Sequence, residues 1–139
     1  MTSPNFDTVL VGDELPALQL PPVDRKTLAL FAGASGDHNS IHIDIDAARR
    51  AGMPDVFAQG MLGMAWLGRL LTAWAPQGGL RRFDARFQGI IHLGNAMRCT
   101  GRVVDKLDHN GERCVRIELQ SINQFGQAKI VGEALLALP

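Results

Sequence analysis

The chain has 139 residues, 14 Lys and Arg against 14 Asp and Glu, 46% hydrophobic residues and 2 cysteines. That length suits one domain over residues 1–139, since a single core typically serves about 100–200 residues, and the apolar share excludes a disordered chain. A formal net charge of zero excludes a nonspecific grip on nucleic acid or anionic lipid, which takes a basic surplus.

Cys99 and Cys114 form neither a disulfide framework nor a C-x-x-C pair. Met1 to Val11 shows no basic region followed by an apolar run, so no secretory signal is read there. The longest apolar stretch, Met61 to Trp74, is broken by Gly63, Gly68, Arg69 and Thr72 and is shorter than the roughly 20 residues a bilayer span needs. A soluble, cytoplasmic protein with no membrane and no nucleic-acid partner is the expectation.

Residues 1–13 read as a lead-in. Leu15 to Leu20 alternate and predict an edge strand, the one sheet position that tolerates Pro16. After Pro21-Pro22, Asp24 is a helix cap or first-turn acid, and the helical run through Ala32 is expected to end at Gly33. Ser35 to Ser40 is dense in turn residues and reads as a loop. Asp44 to Ala51, with acids first, bases last and Gly52 beyond, predicts a short helix. Gln59 to Ala75 is apolar nearly all round and predicts a long helix buried on most sides, ended by Pro76 and Gly78-Gly79.

Beyond it the period falls from 3.6 to 2. Phe83–Phe87, Cys99–Val103 and Val115–Leu119 alternate, and Ile130–Leu138 is a longer apolar run. Asn110-Gly111 predicts a two-residue hairpin turn with both residues at positive φ. Its register would place Cys114 opposite Leu107 and Cys99 opposite Ile122. A second turn is expected at Asn123–Gly126. Helices on one side of an antiparallel sheet make an α+β fold, with the sheet wrapped around the apolar helix. One sheet covers only one side of that helix, so dimerisation is expected.

The residues able to do chemistry gather in Phe31–Asp44. Asp37 and His42 are a carboxylate and an imidazole in one short segment, able to share a water and handle two protons. The alternative is that Asp37 caps a turn and His42 is a packing residue. His42, Asp44 and Asp46 alternate like metal ligands, yet no further cluster completes a shell and Asp44 is better placed as a helix cap. There is no G-x-S-x-G elbow, no G-x-G-x-x-G and no phosphate loop, so neither a serine nucleophile nor a bound cofactor is expected. Gly60 opens the long helix, where free N–H groups and the dipole suit a developing oxyanion; the alternative is close packing. The wall formed by Met61, Met64, Trp66 and Leu67 would line an apolar tunnel or simply pack the core. The arginines 81, 82, 86, 98 and 102 suit phosphate, or lie on a solvated sheet face.

The segment F-A-x-x-S-G-D-x-N-x-I-H-x-D at Phe31–Asp44, followed by F-A-x-G-M-L at Phe57–Leu62, resembles the MaoC-like (R)-specific enoyl-CoA hydratases and the related (3R)-hydroxyacyl-thioester dehydratases. The ending G-E-A-L-L-A-L-P is similar to the family's last strand. The resemblance implies a hot-dog fold, an antiparallel sheet around a long helix, paired into a dimer. It implies Asp37 and His42 as the catalytic pair, Asn39 as the motif's asparagine fixing the loop, and Gly60 as the N–H donor to the thioester carbonyl. Gln59 and Met61 flank that donor at the substrate. Ser40 stands where the family usually has proline, and Gln59 where it usually has histidine.

The implied activity is that of a lyase, adding water reversibly across a trans-2-enoyl thioester of CoA or ACP. His42 would take a proton from water held between it and Asp37, the hydroxyl would add at Cβ, and Asp37 would deliver a proton to Cα. A second reading is a non-catalytic or partner-dependent hot-dog subunit of a heteromeric complex. A hot-dog thioesterase normally carries its carboxylate on the long helix, and Gly60 to Ala75 contains no Asp or Glu.

Overall fold

The computed structural model describes residues 3–139. In chain order the elements are β1 (Leu18–Gln19), α1 (Arg25–Ser35), a 3₁₀ turn (Ser40–His42), α2 (Ile45–Arg50), α3 (Gly60–Trp74) and strands β2 (Leu80–Phe87), β3 (Arg98–His109), β4 (Glu112–Ile122) and β5 (Ala128–Ala137). The strands form one antiparallel sheet in the order β1-β3-β4-β5-β2, curled around α3 in the hot-dog arrangement.

Local chemistry sets the helix ends. The Asp24 carboxylate accepts from the backbone N–H and the hydroxyl of Thr27 at 2.8 and 2.7 Å, which starts α1. The expected stop at Gly33 does not occur, because Gly33 keeps helical φ and the break falls at Gly36. There φ is +78° and the N–H donates to Ala32 O, as a left-handed C-cap requires. Ser35 therefore belongs to α1, and Ser40 opens the 3₁₀ turn rather than closing a loop. The Asp44 carboxylate accepts from Asp46 N–H at 2.9 Å and caps α2, which answers the metal reading of that carboxylate.

The sheet follows its turns. Asn110 and Gly111 have φ of +51° and +82°, and the hairpin places Leu107 opposite Cys114 as expected. A bulge between Val103 and Asp105 then shifts the register by one residue. Cys99 therefore faces Ser121 instead of Ile122, with its thiol 3.7 Å from the Ser121 hydroxyl. Burial pushes the Cys99 thiol pKa up, against a smaller downward pull from that hydroxyl. The expected strand 15–20 shrinks to Leu18–Gln19. Glu14 and Leu15 still lie along β3, and Pro16, with no N–H, interrupts the ladder until Leu18. The second hairpin turns on Asn123, whose side-chain oxygen accepts from Phe125 and Gln127 N–H.

The core lies between α3 and the sheet. Leu62, Trp66, Leu67, Leu70 and Leu71 of α3 are buried against Met97, Val103, Val115, Ile117, Ile130 and Leu136. Met61, Ala65, Thr72 and Ala73 remain exposed on the opposite face of α3. Near the ends of the described chain Phe6 N–H donates to Pro139 O, and Lys106 and Arg113 each lie over the Phe6 ring, 4.4 and 4.9 Å from its centroid. Among the described residues no helix is long and apolar enough to cross a membrane.

Candidate active site

Three segments converge at the N-terminus of α3. The first runs from the end of α1 through the 3₁₀ turn. Asp37 N–H donates to the Ser35 hydroxyl at 3.1 Å, Asn39 N–H donates to Asp37 Oδ1 at 3.3 Å, and Ile41 N–H donates to Asn39 Oδ1 at 3.3 Å. Each polar side chain holds the backbone two residues away, and the nested turns bring His42 back toward Asp37. Their closest approach is 3.8 Å, from His42 Nε2 to Asp37 Oδ2.

The second segment fixes the imidazole. His42 Nδ1 lies 2.7 Å from Phe57 O, and a carbonyl only accepts, so Nδ1 carries the hydrogen. In the neutral ring Nε2 is then a lone pair facing the carboxylate. The Phe57 ring stands edge-on to the imidazole, with centroids 5.0 Å apart. Most of the His42 side chain is enclosed, at 10% exposure, while Asp37 is 43% exposed. Two acceptors 3.8 Å apart, one enclosed and one reachable, form a gap that a single water can bridge by donating one hydrogen to each.

The third segment is the start of α3. Gly60 opens the helix, and a Cβ there would sit 3.3 Å from the Phe87 ring, so the glycine permits a close approach of β2. Gln59 occupies the cap position without capping. Its side chain turns away, and Nε2 donates to Leu28 O at 3.0 Å. The first N–H groups of α3 are thus left without a side-chain partner.

His42, Phe57, Ala58, Gln59, Gly60, Phe87, Gly89, Ile90, Ile91 and Ile130 line a cavity of about 180 Å³. Of the residues expected at the site, His42, Gln59 and Gly60 line it and Asp37 stands beside it. Asn39 does not line the cavity; its observed contacts are those that shape the loop. Met61 is 57% exposed and lies outside the lining, because the first turn of α3 points it away from the sheet. Met64, Trp66 and Leu67 are also absent from the lining, and Trp66 and Leu67 are core.

The arginines sit elsewhere. Arg82, Arg86, Arg98 and Arg102 line a groove on the outer face of the sheet, and Arg81 forks onto Glu112 at 2.7 and 2.8 Å. Sequence reading missed Phe57 O, a backbone atom with no residue-type signal. It also missed the wall from Phe87 to Ile91, which packs here only through the closure of β2 on β5.

A surface fork steadies the imidazole's anchor. Arg25 of α1 grips Asp55 at 2.9 and 2.6 Å, and Asp55 also accepts from Val56 N–H, next to Phe57. The Arg25 guanidinium first, and the Val56 N–H second, hold the Asp55 carboxyl below the usual aspartate range. A depressed folded pKa gives stability that is present above the unfolded value, about 4, and is lost as pH falls through the folded value. Asp55→Asn is therefore expected to unfold at lower urea than wild type at pH 7, with the gap closing as the pH falls through the lowered folded value. Urea melts at pH 7 and at low pH check this, and a gap unchanged at low pH would refute it.

A family model described as MaoC like domain matches residues 8–124. The structure of a MaoC-like dehydratase superposes with TM-score 0.87 at 29% identity, over 99% of this chain and 43% of that one. The R-hydratase PhaJ1 from Pseudomonas aeruginosa superposes with TM-score 0.81 at 27% identity, over 97% of this chain and 85% of its own. The fatty acid synthase beta subunit TOXC of Cochliobolus carbonum is 31% identical over 110 residues, which cover 75% of this chain and 5% of that protein. The chain thus spans a small part of that synthase subunit and less than half of that dehydratase. With the match running from the lead-in to the second hairpin, across the Asp37–His42 turn and the whole of α3, the chain belongs to the MaoC-like domain family.

Proposed function

We propose that this chain, acting as one MaoC-like unit over residues 1–139, is a hydro-lyase that interconverts trans-2-enoyl thioesters and (3R)-3-hydroxyacyl thioesters. The observation that carries the reading is the pair of acceptors, Asp37 Oδ2 and His42 Nε2, 3.8 Å apart beside a cavity that begins at a helix N-terminus. Similarity to R-hydratases supports the choice of reaction.

A water bridging the two acceptors is aimed by both. As its oxygen bonds Cβ, His42 Nε2 takes one proton, and the imidazolium that forms keeps its Nδ1–H on Phe57 O. One proton returns from the coupled Asp37–His42 pair to Cα, so one water is consumed, C=C becomes C–H and C–OH, and the pair ends as it began. Negative charge on the thioester oxygen falls at the N-terminus of α3, where the Gly60 N–H and the helix dipole stabilise it. A volume of about 180 Å³ is below the roughly 300 Å³ of whole-ligand pockets, so the reacting end enters and the CoA or ACP carrier stays outside.

A homodimer belongs to this reading. Phe87 and Ile90, which line the cavity, are 48% and 39% exposed, and β2 is a sheet edge with unpaired backbone. Size-exclusion chromatography with light scattering is expected to give twice the chain mass of 15.1 kDa, and a strictly monomeric active enzyme would refute the dimer.

The reaction is tested with crotonyl-CoA and purified protein. Loss of the enoyl-thioester absorbance and formation of the (R)-hydroxy product support the proposal, whereas no turnover of short or longer trans-2-enoyl-CoA overturns it.

A further inference from the structure

We infer that Gln59 is a positioning residue: by bonding the Leu28 carbonyl it holds α1, and with it Asp37, at the working distance from His42 and Gly60. The inference rests on the hydratase reading above and goes beyond it, by assigning the residue that sets the gap across which the reacting water is held.

Stability alone does not account for this amide. Gln59 is 1% exposed, Nε2 donates to Leu28 O at 3.0 Å, and Oε1 is buried with no hydrogen-bond partner. Leu28 O can only accept, so the amide end that meets it is the NH₂ group. A half-satisfied buried amide is destabilising, and a methionine of similar shape would fill the same space without that cost. What the bond supplies is direction. Leu28 and Ala32 are the buried residues of α1, with Phe31 partly covered. Apolar contact is non-directional, so a helix held at so few positions can slide or turn on it. The bond from Gln59 ends on the backbone of Leu28 and fixes which part of α1 meets the start of α3. The other tie of α1, the Arg25–Asp55 fork, lies at the end away from Asp37 and in solvent.

The ties converge on residues 57–59. Ala58 N–H donates to Ile91 O at 2.9 Å and Phe57 lies opposite His92 in an isolated bridge, so this segment is fastened to the chain that follows β2. Phe57 O holds the His42 ring, Gln59 Nε2 holds Leu28, and Gly60 comes next in the chain. The imidazole and the carboxylate thus depend on the same three residues through separate bonds. From Leu28 the path to Asp37 is short and fully bonded. α1 runs on to Ser35, Gly36 N–H donates to Ala32 O at 3.1 Å, and Asp37 N–H donates to the Ser35 hydroxyl at 3.1 Å. The Asp37 side chain is half-exposed, so its place is set by this backbone path rather than by packing. A water held by two acceptors 3.8 Å apart tolerates little change in that gap, and a misplacement of about 1 Å from a change outside the chemistry can cost about 10²-fold in rate.

The test is kcat and KM for hydration of but-2-enoyl-CoA, with thermal melts, for wild type, Gln59→Met, Gln59→His, Asp37→Asn and the double variant Gln59→Met/Asp37→Asn. Gln59→Met is expected to lower kcat by about 10- to 100-fold, with KM changed by less than about threefold and the melt within a few degrees of wild type. Gln59→His keeps a ring N–H for the Leu28 carbonyl and is expected to recover kcat to within about fivefold of wild type. In the Asp37→Asn background Gln59→Met is expected to cost less than about threefold, because the carboxylate it positions is already gone. An unchanged kcat in Gln59→Met overturns the inference while leaving the hydratase reading intact, and so does an equal loss in both backgrounds. A Gln59→Met that melts far below wild type, or does not fold, shows a bond kept for stability and overturns it as well. No turnover of short or longer trans-2-enoyl-CoA by the wild type overturns the hydratase reading and this inference with it.

Discussion

Asp37→Asn is expected to lower kcat for hydration by about 10²–10⁴-fold while leaving the fold and the melting temperature nearly unchanged. The side chain is isosteric, and its carbonyl oxygen can keep accepting from Asn39 N–H, the bond that shapes the loop. That bond then directs the new NH₂ group toward His42 Nε2, where Asp37 Oδ2 stands 3.8 Å away in the wild type. Two acceptors awaiting a water become a donor facing an acceptor, which satisfy each other without one. The loss therefore appears in kcat rather than in stability. His42→Gln is expected to fall by a similar factor, and the double variant to be little worse than either single one, because the two groups act as a unit. Stopped-assay kinetics on wild type, both singles and the double check this. Full additivity, or an Asp37→Asn variant within a few-fold of wild type, would refute the shared-water mechanism.

The parts legible in the sequence are those whose cause lies within a few residues. Asp24 announces α1 because its carboxylate meets Thr27 three positions on, and Asp44 announces α2 in the same way. Asn110-Gly111 fixes a hairpin because both residues reach positive φ at little cost. The local signal is insufficient where two similar signals compete or where a distant partner decides. Gly33 and Gly36 both offer a helix stop, and only the second takes the left-handed conformation. The bulge beside Val104 carries no turn residue to mark it, and it moves Cys99 from Ile122 to Ser121.

The site divides along the same line. Asp37, Asn39 and His42 lie in one short segment, and a motif exposed them. The carbonyl of Phe57 comes to His42 from the connection between α2 and α3, fifteen residues on, and Ile130 on the last strand comes to the cavity through its pairing with Phe87 when β2 closes on β5. Met61 was drawn to the site by its neighbours in the chain, and helical geometry turns it outward.

That closure carries the second large effect. Gly132 of β5 lies opposite Ala85 of β2 and Leu119 of β4. A Cβ on Gly132 would collide with the backbone oxygen of Asp84 and come within 3.1 Å of Ala85 Cα. Backbone cannot rotate out of the way as a side chain can, so Gly132→Ala must push β2 from β5. We expect a cost at the upper end of overpacking, about 3 kcal/mol, read as a lower urea midpoint. Two other glycines give the scale. A Cβ on Gly101 would meet Ile117 Cγ2 and Leu15 Cδ2 at 3.2 Å, atoms at the ends of side chains, so Gly101→Ala should cost about 1 kcal/mol. Gly33, in α1 with nothing within 4 Å and ordinary φ, should gain about 0.5–1 kcal/mol on becoming alanine. One added methyl thus stabilises, mildly destabilises or severely destabilises according to whether it meets solvent, side chain or backbone. Because β2 also carries Phe87 against Gly60, Gly132→Ala should lose hydratase activity beyond what its unfolded fraction explains. A Gly132→Ala midpoint no lower than that of Gly101→Ala would show that the strand pair yields easily, and that closure of β2 on β5 does not hold the cavity in shape.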